Sequence, residues 1–409
     1  MIVVKRMVYD TIRSLTHRVP CVIIVGPNQI GKTTALQHTG RSSLAFTLAN
    51  NWHYERIHKA PEAFLSRCYK PVTIDEAQRS PKLLASLSKL AKYASRTPGL
   101  VLASSCITPS LLTQVAEHSS SLAVVDLGGL LLSEVWRRPC SKLCDIIAHG
   151  DIKRLRHLKV TYTEEELLLS CLTGSYPEPV LNRLDRAFCS RWHLARLQAY
   201  VNEDINHLFP QIDRARFSHT IRALAKASGS TFHPESLDVS SNKTPLPEHL
   251  EHIALLEGTG MWRTVPDISV EDSPTTTLRS GWFRDSGLLC HVLRIRSESE
   301  LRSHGHFAHI WRSFVCEELL KGFSDRLLQV RATSCWEKAD GADLVLHTSS
   351  EKVAVAIEAS QTTRTQKRVA DALGDFVRAH TCGYGILMSM GRRVRKLGTG
   401  IFEIPAGCL

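Results

Sequence analysis

The sequence predicts an α/β fold that opens with a parallel sheet flanked by helices, and three observations predict it. Short continuous apolar runs alternate with amphipathic stretches over roughly the first 135 residues, as strands alternate with covering helices. One of these runs, Cys21-Val22-Ile23-Ile24-Val25, leads straight into Gly26-Pro27-Asn28-Gln29-Ile30-Gly31-Lys32-Thr33. A later run, Pro71-Val72-Thr73-Ile74, ends in two adjacent carboxylates, Asp75 and Glu76.

The first string fits the phosphate-loop pattern G-x-x-x-x-G-K-[ST] at every fixed position. An unbroken apolar run before it suits a strand buried on both faces, and Thr34-Ala35-Leu36-Gln37 after it opens a helix. Glycines let the backbone curl until its N–H groups converge on an anion, and the helix N-terminus adds partial positive charge. Gly26 to Thr34 therefore read as the nucleotide cradle, with Lys32 reaching the β- and γ-phosphates and the Thr33 hydroxyl on Mg²⁺. Asp75 would hold the same ion from the end of its own strand, directly or through water. Glu76 is placed to polarise the attacking water as a general base. A chance glycine-rich turn and a solvated acidic strand end are the competing readings. Strand before, helix after and the pairing of the two motifs weigh against both.

The other elements follow in chain order. Ser43 to Leu48 reads as a strand, Pro61 to Arg67 and Pro81 to Tyr93 as helices, and Leu83, Leu84, Leu87, Leu90 and Ala91 form one apolar stripe on the second. Leu100 to Ser105 and Leu122 to Leu127 read as further strands. Ser105, at a strand end, is a candidate for positioning water or the γ-phosphate, and equally an ordinary strand-to-turn serine. Past residue 150 the pattern turns helical over Thr163 to Leu172, Arg183 to Asn206 and Phe217 to Ala227. Pro234 to Val239 and Pro247 to Glu257 read as two short helices, and Gly258 to Val265 as a hairpin, together the outline of a winged helix. Glu248, Glu251 and Glu257 on its second helix argue against insertion into a DNA major groove. Near the C-terminus, Trp311 to Leu320 reads as a helix. Ala342 to His347 and Lys352 to Glu358 read as strands joined by the turn Thr348 to Glu351, and Tyr384 to Ser389 as a third strand.

The chain has 409 residues, enough for two or three domains, and at 43% hydrophobic and 22% charged its composition is that of a globular protein. A net charge of +11 favours contact with polyanions such as nucleic acid without defining a site. Basic residues gather in Lys153 to His157, Arg364 to Arg368 and Arg392 to Lys396, each read as a solvated face before a binding surface. The 12 cysteines contain no C-x-x-C pair, and Cys21, Cys171, Cys290 and Cys316 sit in apolar runs, as reduced buried thiols of a cytoplasmic protein do. Cys140 and Cys144 have no second ligand pair, and the 19 histidines show no H-E-x-x-H spacing, so no zinc site is expected. Met1-Ile2-Val3-Val4-Lys5-Arg6 lacks the features of a signal peptide, and no stretch approaches the ~18 apolar residues of a membrane helix. A soluble protein with no membrane partner is the expectation.

Longer motifs carry a resemblance. Gly26 to Thr34 looks like G-P-R-Q-V-G-K-T-T, and Ile74-Asp75-Glu76-Ala77-Gln78-Arg79-Ser80-Pro81 is similar to L-D-E-I-Q-R-x-P. Asp126 to Glu134 matches L-x-P-L-S-x-x-E, Gly174 to Pro179 resembles G-G-F-P-E-P, and Arg284 to Leu288 resembles D-x-G-L. In these the chain resembles, over nearly its full length, the prokaryotic AAA-type predicted ATPases whose P-loop domain is joined to a C-terminal domain of unknown function. The resemblance implies a P-loop NTPase core at 1–140, a helical and winged-helix-like region at 141–300, and a degenerate restriction-endonuclease-like α/β domain at 301–409. It also implies ATP as ligand. The arginine that this family carries in an A-G-R just before its last core strand has no counterpart in Ser121-Leu122-Ala123-Val124. Hydrolysis is then slow, or relies on an arginine from another subunit or a partner protein, unless Arg137 or Arg138 substitutes. Glu318, Asp343 and Glu358 match the acids of the nuclease fold, but Ser360 stands where its lysine belongs, with Gln361 or Lys367 as substitutes. The expectation is a Mg²⁺-dependent ATP-binding switch with weak ATPase activity. The alternatives are a DNA-binding regulator and a Mg²⁺-dependent nuclease.

Overall fold

The computed structural model describes residues 4–40, 44–68, 71–93, 100–103, 122–206, 209–237, 244–268, 278–335, 341–360 and 362–409. The chain divides into two compact units. The first comprises Met1–Gly129 with the short segments Gly258–Met261 and Ser324–Leu327, and the second takes Leu130–Glu257, Trp262–Phe323 and Leu328–Leu409.

In the first unit, β1 (Cys21–Val25), β2 (Leu44–Thr47), β3 (Val72–Asp75), β4 (Leu100–Ala103) and β5 (Leu122–Asp126) form one sheet in the order β2-β3-β4-β1-β5. Every neighbouring pair is parallel. All five side chains of β1 are buried, which is why its sequence reads as an unbroken apolar run. Cys21, Ile23 and Val25 pack on one face with Val72, Ile74, Ile57, Leu83 and Leu87. Each such aliphatic side chain stabilises the fold by about 1.5–3 kcal/mol. Because the strands are parallel, their carboxyl ends share one edge: Thr47 lies opposite Asp75, and Val25 opposite Asp126. Helices α1 (Val8–Thr16) and α2 (Lys32–Thr39) accompany β1, and α2 starts at the end of the phosphate loop.

The second unit opens with short helices and then Glu164–Thr173, which is started by a capping box between Thr163 and Glu166. The helix expected over Arg183 to Asn206 begins at Arg186, capped by the Asp185 carboxylate, and its last turn widens to π geometry at Tyr200–Ile205. A three-stranded antiparallel sheet joins β6 (Ser230–Phe232), β7 (Trp262–Thr264) and β8 (Arg279–Phe283) in the order β6-β8-β7. The expected Gly258 to Val265 hairpin is corrected here. Only Trp262–Thr264 is strand, and it pairs with Arg279–Phe283 further along the chain. Pairing places Trp262 opposite Phe283, and burial of both rings fixes that register.

A second, mixed sheet has the order β13-β14-β12-β11-β10-β9, where β9 is Arg331–Ser334, β10 Leu344–His347, β11 Lys352–Glu358, β12 Tyr384–Ser389, β13 Arg395–Gly398 and β14 Ile401–Pro405. Strands β10 and β11 form the expected antiparallel hairpin through Thr348, whose amide donates to the Glu351 carbonyl at 3.0 Å. Strands β11, β12 and β14 run parallel. The helix Thr363–Ala379 covers one face, burying Ala370, Leu373 and Phe376 against Val345, Ala354, Ala356 and Leu387. Among the described residues no helix is long and apolar enough to cross a membrane.

Candidate nucleotide-binding site

The site grows out of the carboxyl end of β1. Gly26 continues the strand where no side chain fits, since a Cβ there would lie 2.4 Å from the Leu127 carbonyl oxygen. The loop then turns through Gln29 (φ 66°) and Gly31 (φ 106°), left-handed backbone that glycine adopts without strain, and enters α2 at Lys32. Lys32 is buried, and its Nζ donates to the carbonyls of Gly26 at 3.0 Å and Pro27 at 2.8 Å. Its amine is thus held in the concavity of the loop. Asn28 and Thr34 are half-buried, Gln29 and Thr33 are exposed, and Ile30 is core.

The second motif faces the first. The Thr33 hydroxyl donates to Asp75 Oδ2 at 2.6 Å, bringing the two expected metal ligands together. Glu76 follows at φ 59°, an unusual conformation for a residue with a side chain. Its amide donates to Asp75 Oδ1 at 3.1 Å, and its own carboxylate accepts from Gln78 Nε2 at 2.6 Å. Gln78 was visible only as a motif letter; in the structure its side-chain amide holds the Glu76 carboxylate. Ser105, the third catalytic candidate, lies outside the described residues, as do Ser121 and Gln361.

Three features of the site escaped sequence reasoning. Arg6, buried, donates to the carbonyls of Gly128 and Gly129 at 2.9 Å each and to that of Ile30 at 3.4 Å, tying the phosphate loop to the exit of β5. Nothing near Arg6 in sequence marks it for this role. Leu127 extends the parallel pairing, its amide donating to the Val25 carbonyl at 2.7 Å. Gly260 (φ 74°), from the segment Gly258–Met261, abuts the loop so closely that a Cβ there would sit 2.9 Å from Pro27 Cδ.

Other expected site residues do not assemble. Arg138 is taken by a bidentate pair to Glu166, at 2.8 and 2.6 Å, and so is no free counter-charge. Arg137 is exposed, at φ 52°. The nuclease-like acids have separate structural partners. Glu318 pairs with Lys321 at 2.7 Å and accepts from the Leu132 amide at 2.6 Å. Asp343 pairs with Arg312 at 2.6 Å and accepts from the Ile357 amide, and burial pushes its carboxyl up against the pull of that arginine. Glu358 accepts from the Ser360 amide at 2.6 Å. Among the described residues no three His, Cys, Asp or Glu side chains group as a metal would need. Each of these carboxylates has its charge or lone pairs engaged by the fold.

Comparison with known proteins agrees with the first unit. Residues 18–135 match a family model described as an AAA domain, and residues 164–299 one described as a domain of unknown function (DUF8612). Uncharacterized proteins of Mycobacterium bovis and Mycobacterium tuberculosis are each 24% identical over 385 residues, covering 92% of this chain and 78% of theirs. Among solved structures, the Walker-type ATPase of Pyrococcus abyssi is 13% identical over 71% of this chain and 96% of that one, with a TM-score of 0.42. A RuvB of Thermotoga maritima, also 13% identical, covers 64% of this chain and 87% of its own at a TM-score of 0.29. The parallel sheet, the phosphate loop and the AAA-domain match define a P-loop ATPase fold for the first unit, followed by a helical middle region.

Proposed function

We propose that this protein binds ATP with Mg²⁺, hydrolyses it slowly, and uses the bound nucleotide as a switch on the rest of the chain. The observation that carries the reading is the meeting of Thr33 and Asp75 at 2.6 Å beside the buried amine of Lys32. Two hard oxygen donors at one point suit Mg²⁺, which would neutralise charge between the β- and γ-phosphates when bound. Lys32 would exchange the Gly26 and Pro27 carbonyls for phosphate oxygens, and the loop amides would receive the rest of the anion. Glu76, steered by Gln78, would orient water and take its proton. Slow turnover follows from the residues that would stabilise transition-state charge: 121–124 hold no arginine, and Arg138 is bound to Glu166.

Gly260 supports the switch. The segment Gly258–Met261 touches the phosphate loop and directly continues the helix Leu246–Gly258, so displacement of Pro27 reaches that helix along the chain. We read this helix and the β6-β8-β7 sheet as a winged-helix-like module that packs on protein, because Glu248 faces Arg216 and His249 and His252 are buried. We also read 141–300 and 301–409 as separate domains, and the free, mostly buried thiols as those of a cytoplasmic protein.

Titration of wild type and Lys32→Ala with a fluorescent ATP analogue and Mg²⁺ tests the site. Affinity should fall at least about tenfold in the variant, the scale of a lost charge-assisted contact. Equal binding by both would end the reading.

A further inference from the structure

Two basic runs that lie apart in sequence leave the C-terminal sheet at the same edge. Strands β11 and β12 are parallel, with Glu358 opposite Ser389, so the segments that follow them depart side by side. From β11 the chain passes Ser360 into the helix Thr363–Ala379, whose early turns expose Arg364, Lys367 and Arg368 while Gln366 and Ala370 face inward. From β12 it makes a tight turn that exposes Arg392 and Arg393 and returns as β13, where Lys396 is exposed.

That turn is built on a buried carboxylate. Glu403, fully buried on β14, accepts from Ser389 Oγ at 2.7 Å and from Arg395 Nε at 2.7 Å. Gly391 donates to Ser389 Oγ at 3.0 Å, and a Cβ on Gly391 would come within 2.7 Å of Glu403 Oε1. Arg395 is thereby neutralised and anchored, and Arg392 and Arg393 are held outward. None of Arg364, Lys367, Arg368, Arg392, Arg393 or Lys396 forms an ion pair among the described residues, although Glu165 is close enough to feel the charge of Arg392. Arg364 and Arg368 repel each other at i,i+4, in a helix whose first turn has no acid to offset them. Among the described residues no ion pair offsets this crowding of positive charge.

We propose that this rim is a sequence-independent contact surface for the phosphate backbone of duplex nucleic acid. Hydroxyls of Ser360, Thr362 and Thr365 stand among the cations, the mixture that recurs at phosphate contacts. Single-strand binding calls for exposed aromatic platforms, and here Phe376 and Tyr384 are buried. A membrane surface calls for apolar side chains to insert, and Leu397 alone, 39% exposed, supplies little. Cleavage is no part of the proposal, since Asp343 and Glu358 are engaged within the fold.

Fluorescence anisotropy of the full chain with a random-sequence duplex of about three helical turns tests this, between about 50 and 200 mM salt. Wild type should bind with a steep salt dependence. R364Q/K367Q/R368Q and R392Q/R393Q should each lower affinity at least about tenfold at the lower salt and flatten the log–log slope by about 0.9 per lost contact. Removing three charges elsewhere, as K153Q/R154Q/R156Q, should change little. Absence of duplex binding would overturn the proposal, as would equal losses in all three variants, preference for single strands, or binding to phosphatidylserine vesicles in place of duplex. ATP affinity should be the same in every variant, so this surface and the nucleotide site stand or fall separately.

Discussion

Gly26 and Gly31 satisfy the same sequence pattern for different physical reasons. At Gly26 the obstacle is another backbone: the Leu127 carbonyl oxygen would be 2.4 Å from a Cβ, and no rotamer can relieve that. At Gly31 nothing lies within 4 Å of the added carbon, so only its φ of 106° resists a side chain. Gly31→Ala should therefore cost stability by about 1–2 kcal/mol, the scale of left-handed strain. Gly26→Ala should push the loop away from β5 and weaken ATP binding by more than Gly31→Ala does. Calorimetric melting and nucleotide titration of both variants separate the two effects, and equal binding losses would contradict them. Glu76→Gln should keep binding and slow hydrolysis by about 10²-fold or more, as loss of a general base does. Retained turnover there would move the base elsewhere. The motif letters of this site were legible because the chemistry tolerates few substitutes. Arg6 was not, because one arginine 24 residues from Ile30 carries no local signal of the carbonyls it will meet.

Among secondary-structure elements, burial explains part of what was legible: β2 was read although exposed or half-buried, and the buried β8 and β14 were not read. Strands β1, β3, β11 and β12 are buried along most of their length and read directly as apolar runs. Strand β13 is exposed at all four positions, and β6 has three residues with two half-buried, so neither left a period to detect. The helix Thr363–Ala379 was hidden by its charge: the run Arg364 to Arg368 draws attention from the inward positions Ala370, Leu373 and Phe376. Buried histidines were equally hidden, and one makes a pH prediction. His252, on the helix Leu246–Gly258, bonds through Nδ1 to the Thr220 hydroxyl at 2.8 Å. Burial first, then His249 and Arg216, hold its pKa down at about 4 from 6.5, against the pull of Glu248 and Asp213. The unfolded chain thus takes up a proton below about 6.5 that the folded chain refuses until about 4, so stability should fall as pH drops through that window. His193, His291 and His309 are lowered in the same direction by burial. Thermal midpoints measured across the window should decline, and less steeply in His252→Gln. An unchanged slope in that variant would absolve His252.

At the scale of the whole molecule, buried cations hold the last residues of the first unit and, separately, the first residues of the second. In the first unit Arg6 takes the carbonyls of Gly128 and Gly129. In the second, Lys321 Nζ takes the Leu130 carbonyl at 2.8 Å, Glu318 takes the Leu132 amide, and Glu134 takes the Leu131 amide at 2.9 Å. Three successive carbonyls are therefore fixed by cations that water does not screen. The acid that resembles a nuclease ligand, Glu318, is one of the groups that set this path. Lys321→Met should leave the Glu318 charge buried without its partner, a loss of about 3–5 kcal/mol from the second unit. Adding Glu318→Gln removes the stranded charge while keeping an acceptor for Leu132, and should restore most of that loss. Denaturation followed by the fluorescence of the buried Trp262, Trp282 and Trp311 reports on this unit. Nucleotide affinity should be unaffected, because Lys32, Thr33 and Asp75 belong to the first unit. If the double variant is no more stable than Lys321→Met, the lysine acts through packing of its stem, and the clamp is not electrostatic.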